Sequence, residues 1–184
     1  MRLFSWLIFI MYSSALIQKY SIFVTLSPTL IKAVILFPLN VMGVIPALIL
    51  WFSGKLESYQ FMTISIASGG ILIIVGLYIV WITVSLFTDY GKGTPAPYSP
   101  PKVLVAIGIY RYVRNPMMIG VWCVLIGEAS LFMSIGILIW FLIFFIASIL
   151  FVALWEEGNL ESRFGKSYYE YKRNVPRWIP RIRC

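Results

Sequence analysis

The chain has 184 residues, 60% hydrophobic and only 12% charged, against about 25% charged residues in an ordinary soluble domain. Half that density cannot coat a water-facing globule, which excludes soluble enzymes, coiled coils and disordered tails and predicts an integral membrane protein. The net charge of +8 is carried by basic residues that flank apolar stretches, so it reads as topology and not as a nucleic-acid surface, and the absence of His excludes His-ligated metal sites and His general bases.

In chain order, residues 3–17 are apolar but short for a span, and Gln18 and Lys19 follow. Extension to Leu26 predicts a fifth, N-terminal membrane helix; the alternative is a helix lying in the interface. Residues 30–53 predict a span with Pro38 and Pro46 inside it, a substitution membrane helices tolerate. Residues 59–87 hold no charge and exceed the roughly 20 residues that cross a bilayer. Residues 117–155 carry one charge, Glu128, and are too long for a single span. They predict two spans of about 18 residues with a turn at Met133 to Gly136.

Charge then orients the bundle. The 88–116 loop carries Lys92, Lys102, Arg111 and Arg114, and the tail after 155 carries Arg163, Lys166, Lys172, Arg173, Arg177, Arg181 and Arg183. An even number of spans puts both on one side, which the positive-inside rule makes cytoplasmic. Within the tail, Leu160, Phe164, Tyr168 and Tyr171 recur at helical spacing until Pro176, which predicts a C-terminal amphipathic interfacial helix. The fold class is therefore all-α, a polytopic bundle of 4–5 transmembrane helices in a single integral membrane domain, with residues 88–184 as its cofactor-binding and catalytic half.

Three constellations can carry chemistry. In Gly108–Pro116, Asn115 and Pro116 read as N-cap and first residue of a helix. That start needs no function, and Arg111 and Arg114 serve equally as membrane anchors. The same geometry offers an anion the free N–H groups of a helix N-terminus, with Arg114 beside them as a clamp. Glu156 and Glu157 stand where the last apolar stretch ends, a position where acids oppose the helix dipole. Facing water they cost little; placed against that preference they point to a partner, a bound cation or Arg114. Glu157 and Glu161, four apart, predict that one of the pair joins a solvated face. The third run, Arg163 to Tyr171 followed by Val175-Pro176-Arg177, reads first as interface anchors. Glu128, roughly 16 Å along its helix from Met117, is an intramembrane acid and so a functional candidate, with a place near the hairpin turn as the plainer alternative.

The ordered set of Pro101-Lys102-Val103-Leu104-Val105, Gly108-Ile109-Tyr110, Arg114-Asn115-Pro116-Met117-Met118-Ile119-Gly120, Glu156-Glu157, Leu160, Phe164-Gly165, Tyr168, Tyr171 and Val175-Pro176-Arg177 resembles the isoprenylcysteine carboxyl methyltransferase family, and most closely its small bacterial members. The resemblance covers nearly half the chain. It implies a helical membrane bundle that binds S-adenosylmethionine at its cytoplasmic end. The implied cofactor pocket uses Lys102, Val103, Leu104, Val105, Tyr110, Asn115, Pro116, Met117 and Met118, with Glu156, Arg114 and Glu157 as the catalytic group and no metal. The implied partners are the lipid bilayer and a lipophilic small molecule. Three positions depart from the family: Asn115 where many relatives have His, Met118 where they often have Tyr, and Val152 where prenylcysteine enzymes carry an Arg. The last departure argues against a prenylcysteine carboxylate as acceptor. The competing readings are an NADPH-dependent reductase of the sterol reductase type, a non-catalytic membrane protein and a small transporter.

Overall fold

The computed structural model describes residues 35–54, 63–91 and 102–180, and every regular element among them is helical. The predicted N-terminal helix and the proline-rich Thr94–Pro101 stretch lie outside the described residues. A π-helical turn set, Ile35–Val44 with Pro38 inside it, runs into α1 (Ile45–Phe52). There follow α2 (Thr63–Asp89), a 3₁₀ turn (Gly108–Arg111), α3 (Pro116–Leu131), α4 (Ile135–Phe151), a π-helical turn (Val152–Glu156), α5 (Glu157–Phe164) and α6 (Lys166–Asn174).

Among the described residues, two helical runs, Ser65–Asp89 and Ile135–Phe164, are long and apolar enough to cross a membrane, and Pro38–Phe52 and Pro116–Leu131 are shorter apolar helices. Thirty residues of helix measure about 45 Å, more than the ~30 Å hydrocarbon core. The apolar part of the second run ends at Trp155, and Glu156 opens its polar end. Three hydroxyls of α2 are satisfied by their own helix: Thr83 donates to the carbonyls of Ile79 and Val80, Ser85 to Trp81 and Thr88 to Val84, while the Ser68 hydroxyl pairs with that of Ser130 on α3 at 3.3 Å. In lipid a free polar group would cost several kcal/mol.

The scaffold is built on the α2–α3 pair, which runs antiparallel with backbones in contact. Gly69 and Gly76 on α2 are seven apart, as are Gly120 and Gly127 on α3, so each pair lies on one face. Gly76 meets Gly120 and Gly69 meets Gly127: a Cβ on Gly76 would sit 2.6 Å from the Gly120 carbonyl oxygen, and one on Gly69 2.7 Å from that of Gly127. Small residues permit this approach where lipid supplies no hydrophobic drive between helices. Around it Val80, Val84, Val121 and Leu125 pack with Phe144 of α4 and Val41 of the π-helical segment. The α3–α4 hairpin turns at Phe132–Ser134, with Met133 at a φ of 42° and the Ser134 hydroxyl accepting from the Ile137 N–H at 3.4 Å. This is the turn predicted between two spans.

At the opposite end of the bundle the end of α2, the start of α3 and the end of the Ile135 run come together. The Lys102 N–H donates to the Gly91 carbonyl at 2.7 Å and brings the chain back to the end of α2. The expected C-terminal helix is two short ones, because Gly165 breaks it with a φ of 52° and a ψ of −126°. That break turns α6 back so that Tyr168 is buried, at 2% exposure, rather than lying on an open interface.

Candidate active site

The 108–116 segment forms the floor. Gly108 has a φ of 57°, which glycine adopts without steric cost, and a Cβ there would meet the Leu86 side chain at 3.0 Å. The turn buries Tyr110, whose ring stands edge-on to Phe87 of α2 at 5.4 Å. The Tyr171 hydroxyl donates to the Tyr110 carbonyl at 2.7 Å, tying α6 to this turn. Burial, with Tyr171 and Glu156 close by, pushes the Tyr110 phenol well above its usual range, so it stays a neutral hydroxyl.

Pro116 is the first residue of α3, as its fixed φ and missing N–H favour. Asn115 occupies the N-cap position but its side chain does not cap. It reaches away and donates to the Arg177 carbonyl at 3.4 Å, so the amide is spent on the tail. The first turn of α3 therefore has no side-chain cap from Asn115.

The two glutamates sit in opposite environments. Glu157 is 5% exposed and is a hub for cations. The Arg114 Nη1 donates to it at 2.7 Å, Arg177 donates through Nε and Nη2 at 2.8 Å each, and the Lys172 ammonium lies 3.5 Å away. Burial works to raise its pKa, but the Arg177 hydrogen bond and the charges of Arg114, Arg177 and Lys172 outweigh it and hold the carboxyl below its usual value. The expected solvated face is not where Glu157 lies; Lys172 bridges it to Glu161, which it meets at 2.6 Å.

Glu156 has no such company. Its Oε2 is buried without a hydrogen-bond partner among the described residues. Burial, and then the charge of Glu157, raise its pKa. Tyr110 and Tyr168 both lie close enough to feel its charge. Adjacent carboxylates pushed in opposite directions are the arrangement in which acid and base roles separate.

Of the residues predicted to form the cofactor pocket, Tyr110, Val105 and Pro116 are buried, Leu104, Asn115, Met117 and Met118 are half-buried, and Lys102 and Val103 are exposed. Glu156 lies by Tyr110, and Arg114 and Asn115 both meet the Arg177 region. Tyr168, Tyr171, Lys172 and Arg177 belong to the same neighbourhood, though none was in the predicted site. The signal for Arg177 was present in Val175-Pro176-Arg177, where a proline after a helical pattern turns a basic residue back. Glu128 is far off by the hairpin turn, its carbonyl accepting from Phe132 and its Oε2 buried without a partner among the described residues.

The profile of the phospholipid methyltransferase family matches residues 64–167, more than half of the chain. A protein-S-isoprenylcysteine O-methyltransferase of Schizosaccharomyces pombe is 34% identical over 90 residues, covering 44% of this chain. The chain spans about a third of that relative's length, 34%. No solved structure matches.

Proposed function

The chain belongs to the phospholipid methyltransferase family, and on that premise we propose that it moves a methyl group from S-adenosylmethionine to a lipophilic acceptor at the membrane face that carries the basic loop and tail. The observation that carries the proposal is Glu156: a buried carboxylate oxygen without a hydrogen-bond partner among the described residues, beside two tyrosines, at the polar end of a long apolar helical run. Such an oxygen fits a cationic ligand. The first turn of α3, uncapped by Asn115, fits a carboxylate. S-adenosylmethionine has both groups.

When bound, S-adenosylmethionine supplies a methyl carbon already activated by its sulfonium and open to in-line attack by an acceptor lone pair. The chain's part is alignment and exclusion of water. Tyr110, Val105 and the Asn115–Met118 start of α3 would hold the donor, with Lys102, Val103 and Leu104 at its rim. Glu156 would hold the cationic end. For a carboxylate acceptor no base is needed; for an ammonium acceptor Glu156, its basicity raised by burial, takes the proton that must leave first. Arg114, fixed by Glu157, keeps a positive charge at the start of α3.

Val152, one turn before Glu156, is fully buried. Prenylcysteine enzymes carry an Arg there, and an apolar residue offers an acceptor carboxylate no charge. The relative's prenylcysteine acceptor is therefore not carried over, and a lipid-like acceptor reached from the bilayer is preferred. The test is transfer of a labelled methyl from S-adenosylmethionine into the lipid extract of native membranes holding the protein. Label that depends on the protein and falls in Glu156→Gln supports the reading. No protein-dependent label in any lipid fraction contradicts it.

A further inference from the structure

Glu157 is held by cations on both of its oxygens. They come from separate parts of the chain: Arg114 before α3, Lys172 on α6 and Arg177 after it. Lys172 and Arg177 lie past the end of the family match. The strap Val175–Trp178 that carries Arg177 lies across the start of α3. The Arg114 N–H donates to the Pro176 carbonyl at 3.0 Å, the Asn115 amide donates to the Arg177 carbonyl, and the Trp178 ring lies 4.7 Å from that of Trp122 on α3. Val175 is buried. Trp122 is itself held by its N–H to the Ser148 hydroxyl of α4.

We infer that Glu157 is a positioning residue and not an acid or base of the reaction: it clasps the strap Val175–Trp178 onto the first turn of α3 and so sets the shape of the donor pocket. Arg177 offers the clasp two parallel hydrogen bonds, a geometry that guanidinium and carboxylate fix tightly. Arg114 is held by the same carboxylate, so strap and floor share one anchor. The inference rests on the methyltransferase reading for its effect on the donor, but the docking of the strap is independent of any ligand.

The experiment is a double-mutant cycle of Glu157→Gln and Arg177→Gln, read by two measurements on detergent-purified protein. The first is the Kd of S-adenosylmethionine by calorimetry. The second is the rate of tryptic cutting after Arg173, which is exposed on α6. Each single variant should weaken binding by about tenfold and speed the cut, and the double variant should be no worse than the weaker single one. Multiplicative effects on Kd, or a loss of binding in Glu157→Gln with the strap as protected as in the wild type, would overturn the clasp and make Glu157 a direct donor contact. If Glu157→Gln is not recovered folded, Arg177→Gln alone decides, since it leaves the Arg114 pair in place: unchanged Kd and unchanged cutting overturn the inference. If the wild type binds no S-adenosylmethionine, the functional reading fails, and the cutting rates alone judge the clasp.

Discussion

The α2–α3 pair and the Glu157 end hold the same helix, α3, by opposite means. Along the apolar helices the backbones meet at four glycines and their carbonyl oxygens, with the Ser68 and Ser130 hydroxyls paired beside them and no charge. At the polar end the contact is a buried carboxylate ringed by two guanidiniums and an ammonium. The difference follows from the solvent. In lipid, helices associate by shape, because the surroundings are as apolar as the interface. At the water boundary, charges taken out of solvent must be paired, and three cations on one anion supply that. The first contact makes a rigid frame; the second ties the segment before α3, the helix α6 and the strap after it to one anion.

The comparison is most easily broken at the glycines. Gly69→Ala places a methyl against the Gly127 carbonyl and the Leu131 backbone, whereas Gly70, its neighbour, has open space around it. Gly69→Ala should cost about 2 kcal/mol or more by overpacking, and Gly70→Ala nothing. Unfolding in graded denaturing detergent reads both. Equal midpoints would deny that the backbones touch.

Glu156→Gln and Glu157→Gln sharpen the second half. Glu156→Gln should lower methyl transfer roughly a hundredfold for an ammonium acceptor, the usual scale of a lost general base, with the unfolding midpoint kept. Unchanged turnover would remove Glu156 from the chemistry.

Acid should loosen the clasp. The folded pKa of Glu157 lies below its unfolded value of 4.5, so its contribution to stability is complete above that pH and is lost as pH falls through the folded value. Hydrogen exchange in Val175–Trp178, corrected for intrinsic rate, should rise as pH falls below about 4.5 while that of α2 stays flat. Strap and α2 loosening together would contradict a separate clasp. The smallest effect is at the hairpin turn, where Ser134→Ala removes a long cap bond and should cost about 0.5 kcal/mol in the same detergent titration.

Much of this was legible in the sequence. α2 (Thr63–Asp89) falls on the uncharged run at 59–87, and the single-charge run at 117–155 divides at Phe132–Ser134, overlapping the turn predicted at Met133 to Gly136. Length and charge decide such features, and both can be counted. The glycine contact was written at a spacing of seven in two helices, but a spacing becomes a contact only when the partner and direction are known. Asn115 shows the reverse: its place at the helix start was readable, and its side chain was drawn away by a carbonyl 62 positions on. The Glu156–Glu157 pair was legible as a pair. Which of the two is free depended on Arg177 and Lys172, and these reach Glu157 only because Gly165 turns α6 back. Local pattern cannot carry a partner that arrives through a break.

The most direct test of a methyl-donor site at this end of the bundle is calorimetry of the folded wild-type protein with S-adenosylmethionine, and with NADPH as comparator. Saturable binding of S-adenosylmethionine and none of NADPH is the predicted result. Binding of NADPH in its place, or of neither, would contradict the assignment.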